Sequence, residues 1–149
     1  VAITASGLYV ATFVDVLDTT QLALDLDLET HKVALFTNSI TPDFTSDTAY
    51  GVSPYDANEV SGTGYTAGGA TLTTTTITGA SGTATFDAAD TSWSSSTITN
   101  ARGALIYADA LAGNNAIVLV NLGQDYSTSA GTFLITWAGA GIFALDLTP

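Results

Sequence analysis

The sequence predicts a mainly β protein: a single-domain antiparallel β-sandwich or jelly-roll-like barrel with one short N-terminal helix. Three observations carry that prediction. Short apolar or alternating runs recur from Ala70 to the end of the chain, at the spacing of strands. Gly- and Asn-centred turn signals separate them. Thr fills many of the polar positions, and its branched side chain suits a pleated surface.

The elements follow in order. Ser6 to Asp18 reads as the helix, with Ser6 as N-cap and Leu8, Val10, Ala11, Val14 and Leu17 as a helical stripe. Leu22 to Glu29 alternates strictly, with leucines on one side and Asp25, Asp27 and Glu29 on the other, as a half-buried strand does. Lys32 to Thr37 reads as a second, more buried strand. Residues 38–69 form a long irregular stretch with Pro42, Pro54 and several glycines. A loop of that length in a compact domain is usually functional or crosses a neighbour.

Beyond it the chain is strand-rich. Thr71 to Thr78 is followed by a turn signal at Gly79–Gly82, then by Thr83 to Ala88 with Ala84, Phe86 and Ala88 on one face. Ala101 to Ala108 and Ala116 to Val120 are apolar strands around a turn at Gly113, Asn114 and Asn115. Phe133, Ile135 and Trp137 share a face, and Gly139 and Gly141 break the chain before Ile142 to Leu147.

Composition bounds the function. The 149 residues are enough for one ordinary domain with a sizeable core. Hydrophobic residues make up 46% and charged residues only 11%, so the polar surface is built from hydroxyls, amides and backbone. Net charge is −12, and Lys32 and Arg102 are the only cations. Nucleic-acid binding needs clustered Lys or Arg to displace counterions from phosphates, so neither DNA nor RNA is expected as a partner. Anionic membranes are excluded by the same argument, and no apolar run is long enough to span a bilayer. With no cysteine, disulfides and thiolate metal sites are impossible. The first 31 residues carry no Lys or Arg, so no signal peptide is expected, and an initiator Met removed before Val1 would explain the absence of Met.

Each candidate for chemistry fails on context, and no catalytic residue, cofactor or metal site is expected. Gly62-Thr-Gly64-Tyr-Thr-Ala67 matches a dinucleotide-binding pattern, but no strand precedes it and no helix follows whose N-terminus could meet a pyrophosphate. Asp25, Asp27 and Glu29 resemble the start of a Ca²⁺ loop, yet Thr30 and Phe36 stand where Gly and Glu are needed. Asp87 and Asp90 could pair as general acid and base, but their spacing alone does not establish it, and a turn role is more common for Asp. His31, the one histidine, reads as a surface residue beside Glu29 and Lys32, and no nucleophile elbow accompanies it. Arg102, in an apolar strand, suits a structural ion pair or an interface. Tyr50, Tyr55, Tyr65 and Trp93 are the remaining candidates: aromatics that could anchor a protein interface or stack on a glycan, with core filling the simpler reading for Trp93 and loop position favouring the tyrosines.

The block from Asn58 to Leu72, Asn-Glu-Val-Ser-Gly-Thr-Gly-Tyr-Thr-Ala-Gly-Gly-Ala-Thr-Leu, resembles a signature of a family of small tailed-phage virion proteins, described as head decoration, head fibre or minor tail proteins. Lys32–Leu35 with Thr41–Asp43, Asp87–Trp93 with Ser96–Ile98, Ala104–Tyr107, and Gly131–Trp137 with Gly141 and Ile142 extend the resemblance over most of the chain. His31 and the Gly51–Asp56 segment depart from it. The resemblance implies a non-enzymatic subunit on the virion exterior. It leaves head or tail open; the first expectation is a capsid decoration protein that acts as a homo-oligomer, with a trimer favoured, and whose partner is the major capsid protein or a tail protein. The alternative is a minor tail or fibre protein that helps host attachment through a glycan. A hydrolase acting through His31, Asp87 or Asp90 is the third, least supported reading.

Overall fold

The computed structural model describes Val1–Pro149, and it is mainly β with antiparallel strands throughout. Its elements are β1 (Gly7–Leu8), α1 (Val10–Leu17), β2 (Lys32–Phe36), β3 (Ala70–Thr71), β4 (Thr76–Ala80), β5 (Thr83–Asp87), β6 (Thr91–Ser96), β7 (Ala101–Tyr107), β8 (Ala116–Tyr126), β9 (Gly131–Ile135) and β10 (Phe143–Asp146). A five-stranded sheet runs β1-β8-β7-β2-β3. Two smaller sheets, β10-β5-β4 and β6-β9, complete the layers. The sheets stay separate and do not close, so the architecture is that of a sandwich.

The five-stranded sheet is buried on both faces, which explains why β2, β7 and the start of β8 read as nearly continuous apolar runs. Val33, Leu35, Ala104 and Ile106 point to one side, where Trp93, Phe133, Ile135 and Trp137 from the region of β6 and β9 meet them. Ala34, Phe36, Leu105 and Tyr107 point to the other, where Ile3, Tyr9, Ile40 and Tyr55 cover them. A bulge makes both faces possible on β8. Ile106 pairs with Val118 and Tyr107 with Ala116, so Ile117 is an extra residue. Ile117 and Val118 therefore join the same cluster, while Ala116 and Leu119 join the opposite one.

Residues 38–69 lack regular strands, as expected, and they fold onto their own sheet. Bridges at Phe36–Glu59 and Ala49–Asn115 fasten the segment, and Ile40, Ala49, Tyr55 and Val60 are part of the core.

Several sequence expectations need correction. Leu22 to Glu29 is not a strand. The Asp25 carboxylate accepts the backbone N–H groups of Asp27 and Leu28 at 3.2 and 3.1 Å, which closes a turn and withdraws those donors from any ladder. The Asp27 side chain also hydrogen-bonds Asp25, lowering the Asp25 carboxyl below its ordinary value and raising that of Asp27. The Thr71–Thr78 run is interrupted, because Thr74 has φ +54°. The turn between β4 and β5 is centred on Ser81 and Gly82, both with positive φ, the geometry of a two-residue hairpin. Strand β6 carries no apolar alternation beyond Trp93, so periodicity does not reveal it. The helix is shorter than Ser6–Asp18, and Tyr9 occupies its N-cap without a side-chain cap; the Ser6 hydroxyl instead accepts the N–H of Asn121 at 2.8 Å.

Candidate functional site

The tyrosines singled out in the loop are structural. Tyr55 is 2% exposed. Its hydroxyl is hydrogen-bonded to that of Tyr9, and its ring meets Phe36 edge-on. Tyr50 and Tyr65 are half-buried and converge on Glu59: the Tyr50 hydroxyl donates to one carboxylate oxygen at 2.8 Å and the Tyr65 hydroxyl to the other at 2.7 Å. The Gly68 N–H also donates to Glu59 at 2.8 Å, and the Tyr65 oxygen accepts the Leu35 N–H at 2.9 Å. Tyr50 stacks on Tyr107 at 4.5 Å, and Tyr107 donates to the Gly68 carbonyl. Burial, followed by the bond to Glu59, pushes the Tyr50 phenol up to about 12. Burial likewise raises Tyr9, Tyr55, Tyr65 and Tyr107. The network clamps the Asn58–Leu72 block to β2 and β7. It engages Tyr50, Tyr55 and Tyr65 in contacts within the chain, with Tyr55 buried and the other two half-buried.

The glycines of that block serve close approach. A Cβ on Gly62 would lie 1.9 Å from the Thr97 carbonyl oxygen, and one on Gly69 would lie 1.7 Å from that of Val33. Gly64 sits against Ser95 and Ser96 at the irregularity of β6. The dinucleotide-like pattern is thus a strand-packing device.

The titratable candidates are also placed. His31 is fully buried, against the expectation of a surface residue. Its Nε2–H donates to the Asp25 carbonyl at 2.8 Å, and its ring meets Phe86 edge-on. Asp90 accepts the Trp137 N–H and Asp87 that of Ala88, so both act in local backbone geometry. Arg102 pairs with Asp125 at 2.8 Å and reaches the Gly123 carbonyl, clamping the widened segment of β8. Lys32 pairs with Asp109 at 3.3 Å. Both cations of the chain are therefore engaged within it.

The most distinctive exposed feature is helix α1. Its residues 10, 13, 14 and 17 form the i, i+3, i+4, i+7 stripe that ordinarily faces a core. Here the stripe faces outward: Val10 and Val14 are each 49% exposed and Leu17 is 85% exposed, whereas Thr12 is 1% exposed. Hydrogen bonds to segments distant in sequence impose this orientation. The Thr12 hydroxyl donates to the Ala116 carbonyl at 2.5 Å, the Tyr9 N–H donates to Ile117, and the Val10 N–H donates to Phe44. Phe13 leans edge-on against Phe143, which ties the helix to β10. Leu8, Val10, Phe13, Val14, Leu17 and Leu145 line a shallow groove of about 500 Å³, with Asp18 the one charged residue in its lining. Periodicity alone reveals the stripe but not which way it turns.

A second depression lies between the end of β8 and β9, lined by Leu122, Tyr126, Thr132 and Leu134 among others, none of them charged. Tyr126, at 44% exposure, is the most exposed tyrosine, and the sequence offers no signal that separates it from the other five. Compared with protein-family models, curated proteins and solved structures, the chain matches none.

Proposed function

We propose that this protein is a non-enzymatic structural component of a tailed-phage virion that decorates and stabilises the outer capsid surface, assembling there as a homo-oligomer. The observation that carries the reading is the outward apolar stripe of α1. A protein acting alone gains nothing from exposing Val10, Val14 and Leu17 together, whereas a subunit that docks uses such a patch as an anchor. The resemblance of the Asn58–Leu72 block supplies the virion context. The charge-poor, hydroxyl-rich surface suits close packing between subunits. Particles assembled without this chain are expected to lose integrity at a lower temperature than complete ones, with the difference restored by adding the purified protein. Equal heat resistance with and without it, at full occupancy, counts against the proposal.

A second reading, a tail or fibre protein that holds a glycan during host attachment, is favoured by one observation. The uncharged depression beside Tyr126 offers an aromatic face with neighbouring hydroxyls of Thr132 and Thr136. Under that reading Tyr126→Ala lowers adsorption of the phage to its host while leaving particle heat resistance unchanged.

A further inference from the structure

Strand β9 leaves one sheet edge of the molecule open. Its only neighbour is β6, and no backbone hydrogen bond outside the ladders involves residues 132–136. The depression beside Tyr126 is lined by every residue from Thr132 to Thr136, inward- and outward-facing alike, so it runs along the strand's edge and not over one face. Exposed edges are ordinarily blunted by a charge, a proline, a bulge or a covering segment. Gly131–Ile135 has neither charge nor proline, and the bulge of the β6–β9 pair falls in β6. The outer edge of β6 is covered, by contrast. Thr97 donates its N–H to the Thr63 carbonyl there, and Gly64 lies against Ser95 and Ser96. Leu134, near the middle of β9, is 57% exposed.

Charge singles out the occupant. The net charge is −12 and both cations are paired internally, so most approaches of one copy to another set carboxylates against each other. The stretch from Tyr126 to Leu145 holds no charged residue, and Asp125 just before it is paired with Arg102. The edge of β4 is also outermost in its sheet, but Asp25 and Glu29 line the depression beside its Ile77. A different protein is ordinarily selected through complementary charges, which this rim lacks. A second β9 needs none. Run antiparallel about a two-fold axis, each edge supplies the donors and acceptors that the other is missing.

We infer that two copies of the chain pair through β9, edge to edge and antiparallel, joining their two-stranded β6–β9 sheets into one continuous sheet. Leu134 and Tyr126 border the contact. The pairing gives the homo-oligomer of the proposed function its contact. It rests on that part of the reading and not on the virion context, and it fills the depression that a glycan would otherwise use.

The test uses the purified full chain. Sedimentation velocity is expected to show a concentration-dependent dimer. Leu134→Asp is expected to weaken the dimer by about tenfold or more, because it sets like charges across the pair. Position 134 is exposed enough for the fold to tolerate the change, which a thermal melt verifies. Val52→Asp makes the same charge change at an exposed site near Tyr55, which packs on the opposite face of the main sheet. It is expected to alter the dimer by no more than about twofold, since distant surface charges are screened. Because the chain has no cysteine, an introduced thiol reports the contact directly. With the apolar faces aligned, pairing centred on β9 sets residues 132 and 134 against themselves or against each other. Thr132→Cys and Leu134→Cys, alone and mixed, are therefore expected to give disulfide-linked dimers under a mild oxidant. A wild-type chain that stays monomeric or forms only trimers overturns the inference. So does a dimer that Leu134→Asp leaves unchanged or that Val52→Asp weakens equally, and so does the absence of cross-links from both positions. None of these results bears on the virion context, which the heat resistance of the particle decides.

Discussion

Glu59 gathers donors from three directions: Tyr50, Tyr65 and the Gly68 backbone. Removing the carboxylate leaves two half-buried phenols and one N–H short of an acceptor. Glu59→Ala is therefore expected to cost ~2–4 kcal/mol in denaturant unfolding, and Tyr65→Phe, which deletes one donor and one acceptor, ~1–2 kcal/mol. The tyrosines also set an alkaline limit. Their ordinary value is 10.0, and Tyr50 is raised to about 12 in the folded protein. The unfolded chain thus releases its phenolic protons first. The stabilisation is complete below pH 10 and is lost as pH rises towards 12. Because burial raises Tyr9, Tyr55, Tyr65 and Tyr107 in the same direction, loss of stability measured above pH 10 is expected to be steep. A flat stability curve across that window would show the phenols to be solvated.

At the scale of elements, the Asn58–Leu72 block is held by its backbone as much as by Glu59. Gly69→Ala drives a Cβ into the Val33 carbonyl at a φ of +79°. It is expected to lower stability by ~2 kcal/mol or more, whereas Gly79→Ala, which meets open space, is expected to change it by under ~1 kcal/mol. The strands of the main sheet and the Phe133, Ile135, Trp137 face were legible because a buried face imposes a period on side chains. Leu22–Glu29 has that period too, but the Asp25 carboxylate competes for the N–H groups and wins. Strand β6 was illegible because Ser94 and Ser95 face solvent and only Thr91, Trp93 and Ser96 turn inward. The helix stripe was legible as a stripe. Its direction was not, because Thr12 fixes it through a bond to Ala116, more than a hundred residues away in sequence. Replacing that hydroxyl, in Thr12→Val, is expected to cost ~1–2 kcal/mol and to loosen α1, read as faster amide exchange across Val10–Leu17.

For the whole molecule, the two cations matter more than the fourteen acidic groups. Both are tied internally, so the surface presented to other molecules carries uncompensated negative charge interrupted by an apolar groove. The proposed location outside a nucleic-acid-filled shell is in keeping with that charge. The sandwich supplies a rigid mount: its central sheet is covered on both faces, and the loop tyrosines hold the long segment down. The direct measurement is an image reconstruction of the intact particle at a resolution that separates secondary structure. The account predicts this chain as an outer layer on the head, with α1 turned towards the shell and Leu17 buried in the contact. A chain found only on the tail, or seated on the head with α1 pointing to solvent, would contradict it.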